Sequence, residues 1–122
     1  MPNTEQMQTV FDLEDRTARL GESIVAFARR VPIDPVTSPL ISQLVRAGTS
    51  IGANYVEADD SDSKKDFRFK IGLCRREAKE TKHWLRMIVA ACPQLRDNAE
   101  PLWREAKELN LIFAAIRRKT SV

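Results

Sequence analysis

Apolar side chains recur at alternating spacings of three and four residues in four stretches of the chain. An α-helix completes a turn about every 3.6 residues, so this spacing gathers the apolar positions on one face of a helix. The four sets are Leu13, Thr17, Leu20, Ile24, Phe27 and Val31; Ile41, Leu44, Gly48, Ile51 and Tyr55; Phe67, Ile71, Cys74, Ala78, Thr81, Leu85, Ile88 and Cys92; and Leu102, Ala106, Leu109, Phe113 and Ile116. The pattern predicts four amphipathic helices, the first from about Phe11 to Arg30.

Capping residues predict where the later helices begin. Ser38 precedes Pro39, and a serine cap followed by proline at the first helical position is typical of a helix start. The spacing of a capping box recurs at Ser63–Asp66 and at Asp97–Glu100, which predicts the starts of the third and fourth helices.

The connections between these helices are short, so helices that follow each other in sequence are expected to pack antiparallel. A chain with 43% hydrophobic residues, 7% aromatic residues and 4 glycines favours helices over a β-sandwich or barrel. The prediction is an all-α, antiparallel up-and-down four-helix bundle over residues 11–120, preceded by a flexible N-terminus at residues 1–10. The structural alternative is a three-helix core with the first helix docked elsewhere or frayed.

Small residues cluster within two turns of the second predicted helix: Ala47, Gly48, Ser50, Gly52 and Ala53. Glycine inside a helix is less stable than alanine by about 1 kcal/mol, so these positions predict that another backbone approaches closely. That backbone belongs either to the same bundle or to a second subunit.

One stripe of the second helix lies away from its apolar face and consists of Arg46, Ser50, Ala53 and Glu57. We interpret this stripe as a candidate subunit interface. A plain solvated face is the alternative.

Positive charge is concentrated in the third helix. Residues 63–92 hold 9 Lys or Arg against 3 Asp or Glu, whereas the whole chain has a net charge of only +3. Five of these cations share one side of the helix, next to the apolar face, and we call them the basic ridge: Arg68, Arg75, Lys79, Lys82 and Arg86. No acidic residue stands four positions from any of them within the helix, so the ridge predicts binding to the phosphate backbone of RNA or DNA.

Two other interpretations of the ridge stay open. It suits an acidic protein surface, and its side chains can pair with Asp and Glu of the first two helices, in the same subunit or a neighbour. Aromatic residues that stack bases are few, and we expect Trp84 and Trp103 to pack between helices.

The residues for catalysis or metal binding are sparse. His83 is the one histidine, and Cys74 and Cys92 are too far apart on one helix to form a disulfide. Glu77 and Glu80 are three positions apart and could act as a pair of carboxylates in catalysis. Cations stand next to them in the helix, so we interpret both as ion-pair partners instead. We therefore expect no catalytic residues, metal or cofactor, with a helical enzyme whose site forms between chains as a distant alternative. The apolar runs are too short to span a bilayer, and no leader pattern stands at the start, so we expect no membrane association and a cytoplasmic location.

Between roughly residues 38 and 90 the chain resembles the bacterial four helix bundle protein family, which includes proteins encoded in intervening sequences of large-subunit ribosomal RNA genes. The family pattern is matched in the second helix by Gln43, Leu44, Arg46, Ala47, Ser50, Ile51, Asn54 and Glu57. The likeness continues through Asp66-Phe67, residues 76–81 and Trp84-Leu85, and departs at Ala58, where the family usually has glycine.

The resemblance implies a four-helix subunit that assembles as a homopentamer. It also implies similarity to the accessory protein of diversity-generating retroelements, which partners a reverse transcriptase and binds nucleic acid. No catalytic residue comes with it. Carried over by position, Arg46, Asn54, Glu57 and Glu80 are expected to serve packing or assembly. The predicted function is thus a homo-oligomeric adaptor that binds RNA, DNA or a nucleic-acid-bound partner, with a purely structural or protein-interaction oligomer as the alternative.

Overall fold

Within residues 12–120, four α-helices follow one another: α1, Leu13–Ala28; α2, Thr37–Asp59; α3, Lys64–Ala91; and α4, Arg96–Lys119. A short 3₁₀ turn, Pro93–Leu95, leads into α4. These bounds come from a computed structural model, which describes residues 12–120. The predicted flexible segment at residues 1–10 lies outside the described residues.

Neighbouring helices run antiparallel, as contacts between them show. Along α2 and α3, Glu57 meets Lys70 near the connecting turn, and Arg46 meets Glu77 and Glu80 farther away. The helices α1 and α4 close the bundle, and α1 packs on both α2 and α4. This arrangement confirms the predicted all-α, antiparallel four-helix bundle and excludes the three-helix alternative.

The core is built from the apolar stripes that the spacing predicts. All four helices contribute side chains with almost no exposed surface, the largest being Phe113, Ile24, Leu44, Ile51, Ile71, Leu85, Ile88 and Leu109. The buried hydroxyls of Thr17 and Thr81 donate to carbonyl oxygens one turn earlier in their own helices, so their burial leaves no orphaned donor. The stripes therefore face one common interior.

Two of the predicted helix starts differ from the structure. The helix α2 begins at Thr37, and the Asp34 carboxylate, rather than Ser38, accepts hydrogen bonds from the backbone N–H groups of Val36 and Thr37. Asp34 rather than Ser38 caps the helix because the turn before α2 is held in place by Thr37. The Thr37 hydroxyl accepts from the Asp34 N–H and donates to the Pro32 carbonyl. These backbone hydrogen bonds also lower the pKa of Asp34.

The other difference is at α4, which begins at Arg96, directly after the 3₁₀ turn, so Asp97 lies inside the first helical turn and caps nothing. The third helix begins as predicted, since the Ser63 hydroxyl accepts from the backbone N–H of Asp66 at 3.0 Å.

The backbone that approaches the small residues of α2 belongs to α1 of the same subunit. A Cβ atom placed on Gly48 would lie 2.8 Å from two side-chain carbons of the buried Ile24, and one on Gly52 would lie 3.2 Å from the Thr17 hydroxyl oxygen. On α1, Gly21 faces the backbone of Thr49 and Gly48. The helix-propensity cost of these glycines is therefore offset by close packing of α1 on α2.

We predict that Gly48→Ala lowers the free energy of unfolding by about 1–3 kcal/mol, because its methyl group overlaps Ile24 in a filled core. The matched control is Gly72→Ala on α3, whose methyl group would meet only the side chain of Arg117. That side chain can move, so the control is expected to gain up to about 1 kcal/mol from helix propensity. Chemical denaturation measures both, and a stabilising Gly48→Ala would contradict the close-packing account.

Candidate nucleic-acid interface on α3 and α4

The basic ridge lies along the side of α3 that borders α4. Arg75, Lys79 and Arg86 are exposed, and Arg68 and Lys82 are half-buried. None of the five forms an ion pair with a carboxylate of residues 12–120. Within the subunit, the described parts of α1 and α2 thus leave the ridge without acidic partners.

The helix α4 adds three cations to the same side of the molecule. Arg117 lies over Gly72, since a Cβ there would be 3.2 Å from the Arg117 Nε. Lys107 reaches the ring of Trp103, and Arg96 borders a groove with Arg86. Together with the ridge these residues form what we call the basic face: Arg68, Arg75, Lys79, Lys82, Arg86, Arg96, Lys107 and Arg117. Its α4 members, like the ridge, have no ion-pair partner among residues 12–120.

Sequence reasoning missed the three α4 cations. In the linear sequence Arg96 and Lys107 stand among Asp97, Glu100, Glu105 and Glu108, and Arg117 lies near the end of α4, far along the chain from the cations of α3. In the structure, three of the acidic side chains of α4 pair with other residues and leave these three cations unpaired within the described part of the chain. Glu105 and Glu108 turn toward Arg16 of α1, with the closest contact at 2.7 Å, and Glu100 accepts from Arg104. A helical projection of α4, set antiparallel to α3, is the signal that would have found them.

Trp103 lies in the basic face between two lysines. The ammonium nitrogens of Lys82 and Lys107 are each 5.5 Å from the centre of its ring. Next to it, an open groove of about 400 Å³ runs between α3 and α4, lined by Leu85, Arg86, Val89, Arg96, Ala99, Glu100 and Trp103. The expectation that both tryptophans pack between helices fits Trp84, which packs against the core, but Trp103 is 36% exposed.

The opposite side of α3 is neutralised by α2. Arg46 lies 3.2 Å from Glu77 and 3.4 Å from Glu80, and Lys70 lies 3.3 Å from Glu57. Three residues predicted for packing or assembly, Arg46, Glu57 and Glu80, thus form ion pairs between two helices of one subunit. The charges of α3 therefore divide into a paired side at α2 and an unpaired side at α4.

The remaining predicted assembly residues are polar or small and lie on α2. The Ser50 hydroxyl donates to the Arg46 carbonyl and the Asn54 amide donates to the Ser50 carbonyl, so both side chains form hydrogen bonds within their own helix. Ala53 is exposed. Whether this face also contacts a second subunit stays a prediction.

Glu77 is the one carboxylate among residues 12–120 with a largely buried side chain, 10% exposed. Burial, followed by repulsion from Glu80, raises the pKa of Glu77 above its usual range, and the attraction of Arg46 offsets this only in part. Ionisation of this group is therefore less favourable in the folded state than in the unfolded chain.

Candidates for chemistry do not come together in residues 12–120. No three side chains of His, Cys, Asp or Glu are grouped to hold a metal ion there. His83 is exposed and packs edge-on against Trp84. Cys74 and Cys92 are buried free thiols, and burial raises the pKa of Cys74 to about 12, so this thiol is un-ionised and unreactive near neutral pH. No helix of the described part is long and apolar enough to cross a membrane.

The four packed helices define this chain as an all-α four-helix bundle protein, and the basic face is the main charged feature of its surface. Over residues 11–114, the sequence matches the model of a family described as 23S rRNA-intervening sequence protein. The chain belongs to this family, which confirms the resemblance found in the sequence.

A solved structure of similar sequence has the same fold. A protein of unknown function from the S23 ribosomal protein family of Bacteroides thetaiotaomicron is similar to this chain, with a TM-score of 0.75 and 28% sequence identity. The match covers 86% of this chain and 97% of that one. No curated protein matches the chain. Neither of the two matching descriptions names a reaction.

We predict that Glu77→Gln raises the free energy of unfolding near neutral pH. The raised pKa means that the ionised carboxylate is the form that the fold disfavours, and glutamine imitates the neutral form. The gain should disappear as the pH falls below the ordinary glutamate value of 4.5, where wild type is protonated in both states. Chemical denaturation at about pH 7 and about pH 3.5 measures it.

The matched control is Glu80→Gln, which removes a carboxylate from the same Arg46 at a more exposed position. A loss of stability from Glu77→Gln at neutral pH would contradict the prediction, because it would mean that the ion pair with Arg46 outweighs burial.

Proposed function

We propose that this protein is a non-enzymatic, homo-oligomeric bundle whose basic face binds the sugar-phosphate backbone of RNA or DNA, free or carried by a protein partner. The observation that carries the proposal is the set of eight cations on one side of α3 and α4 that have no ion-pair partner among residues 12–120. Charge rather than base readout supplies most of the affinity in such contacts.

The contrast between the two sides of α3 supports this proposal. At α2 the chain places carboxylates opposite cations at 3.2–3.4 Å, so the fold can neutralise charge where it packs. At α4 it places cations beside cations. Like charges held together repel one another, and this repulsion is relieved when a polyanion binds and releases its counterions.

The homo-oligomer is proposed from the outer face of α2. Residues 38–56 carry a single charge, Arg46, which is already paired with Glu77 and Glu80. The hydroxyls of Thr49 and Ser50 donate to carbonyls of their own helix, and Ala53 and Val56 are exposed. A face with few charges and few unsatisfied polar groups loses little when it is removed from water.

The resemblance supports a pentamer for this assembly. The cytoplasmic location that we propose with it rests instead on the shortness of the apolar runs in the sequence. The resemblance also supports a protein partner such as a reverse transcriptase.

A second candidate is a structural or protein-interaction oligomer in which neighbouring subunits neutralise the basic face. The exposed carboxylates of Asp59, at the end of α2, and of Asp60 and Asp62, in the turn that follows, favour it, because they also lack ion pairs among residues 12–120. In this case the basic face is buried in the assembly and does not bind nucleic acid.

A salt series separates the two candidates. If four or five cations contact phosphates of a structured RNA, log K against log salt should have a slope of about −3 to −5 in fluorescence anisotropy, at roughly 0.7–0.9 per contact. The double variant Arg75→Glu plus Lys82→Glu should weaken binding at least tenfold and flatten the slope by about 1.5.

Arg29→Glu plus Arg30→Glu is the matched control, because it changes the net charge equally at exposed positions after α1. An unchanged slope in the Arg75 and Lys82 variant, or no binding at low salt, would rule out the nucleic-acid function.

Light scattering tests the oligomer. We expect an assembly larger than a dimer at micromolar concentration, and Ala53→Arg should dissociate it by placing a charge in a buried contact. Ala26→Arg, an exposed alanine on α1, is the control and should leave the mass unchanged. A monomeric wild-type protein would contradict the proposal.

A further inference from the structure

The exposed indole of Trp103 has no evident role in the core. Trp84 packs against the buried cluster, whereas Trp103 lies outside it with 36% of its surface exposed. Large aromatic rings are usually buried when packing is their function. The placement of Trp103 in the basic face therefore calls for a ligand-based explanation.

Two ammonium groups converge on this ring. Lys107 follows Trp103 by one helical turn and reaches back over it, and Lys82 approaches from α3, each nitrogen being 5.5 Å from the ring centre. No carboxylate of residues 12–120 pairs with either lysine, and the nearby Glu100 is engaged by Arg104 at 2.6 Å. The ring is thus flanked by positive charge that nothing in the described chain neutralises.

The groove beside Trp103 has the composition of a small binding site. Leu85, Val89 and Ala99 provide apolar surface, and Arg86 and Arg96 add two cations without ion-pair partners among residues 12–120. Its volume of about 400 Å³ lies within the range of roughly 300–1,000 Å³ that small-ligand sites occupy. An apolar wall, an aromatic face and surrounding cations match a ligand that is flat on one part and anionic on another.

We propose that Trp103 is a stacking platform for an unpaired base of a nucleic-acid strand, with Lys82, Lys107, Arg86 and Arg96 holding the phosphates on either side. This inference rests on the proposed function and specifies its ligand as single-stranded or looped rather than fully paired. Stacking is tolerant of base identity, which agrees with the lack of a base-reading motif. When a base stacks, the flexible lysine stems let the ammonium groups move from the ring to the phosphates.

The binding experiment compares an oligouridine with an abasic strand of the same length and phosphate number. Trp103→Leu, which keeps an apolar side chain without a ring, should weaken oligouridine binding about 5- to 150-fold, the loss expected for one stacked base. Trp103→Tyr keeps a ring and should bind within about threefold of wild type. Neither variant should alter binding of the abasic strand, and oligothymidine in place of oligouridine shows whether the strand must be RNA.

Fluorescence provides a second readout. Replacing Trp84 with Phe removes no hydrogen bond, since its indole N–H has no partner in the described structure, and leaves Trp103 as the one tryptophan. Oligouridine should then quench the emission, and the abasic strand should not.

Four outcomes would overturn the inference. Equal loss of both strands in Trp103→Leu, or absence of quenching, would leave a general basic surface and keep the proposed function. Oligoglutamate that competes as well as oligouridine would indicate an anionic protein ligand instead. If neither strand nor a structured RNA binds at low salt, the proposed function fails together with this inference.

Discussion

The rotation of α3 about its own axis decides how the surface of this protein is organised. Ile71, Cys74, Ala78, Leu85 and Ile88 must face the interior, since each has almost no exposed surface. Burying each of the isoleucine and leucine side chains contributes about 1.5–3 kcal/mol, so any other rotation is strongly disfavoured. Once the apolar stripe is fixed, the remaining positions of α3 are assigned to the α2 side, the α4 side or the outer surface.

Charge then follows from packing. On the α2 side, Glu77 and Glu80 come within ion-pair distance of Arg46, and on the α4 side the cations of two helices meet. The same geometry thus creates both a neutralised interhelical contact and an unneutralised face. Trp103 lies on the second of these, where an exposed ring and two lysines share one location.

The sequence was sufficient for most of the features contained within one helix. The four apolar stripes, the Ser63 cap and the basic ridge each depend on spacing along a single helix, and the structure has all of them. Features that depend on how two helices align were missed. The pairing of Arg46 with Glu77 and Glu80 needs the register of α2 against α3, and the contribution of Arg117 needs that of α4 against α3.

The start of α2 was predicted wrongly because of the local structure of the turn before it. Ser38 before Pro39 has strong capping chemistry, but the turn formed by Asp34 and Thr37 satisfies the free backbone groups one step earlier. The exposure of Trp103 was missed because tryptophan side chains are usually largely buried in folded proteins. Its position at the edge of the groove depends on how α4 is aligned with α3.

The seam between α1 and α4 has a consequence for how the chain reaches this state. The other three seams join helices that follow each other in sequence and need only short loops to close. The α1–α4 seam is the least extensive, and its Arg16–Glu105 contact joins residues separated by 89 positions. Closing so long a loop carries the largest entropy cost, so the chain can assemble as successive helical hairpins and complete this seam last.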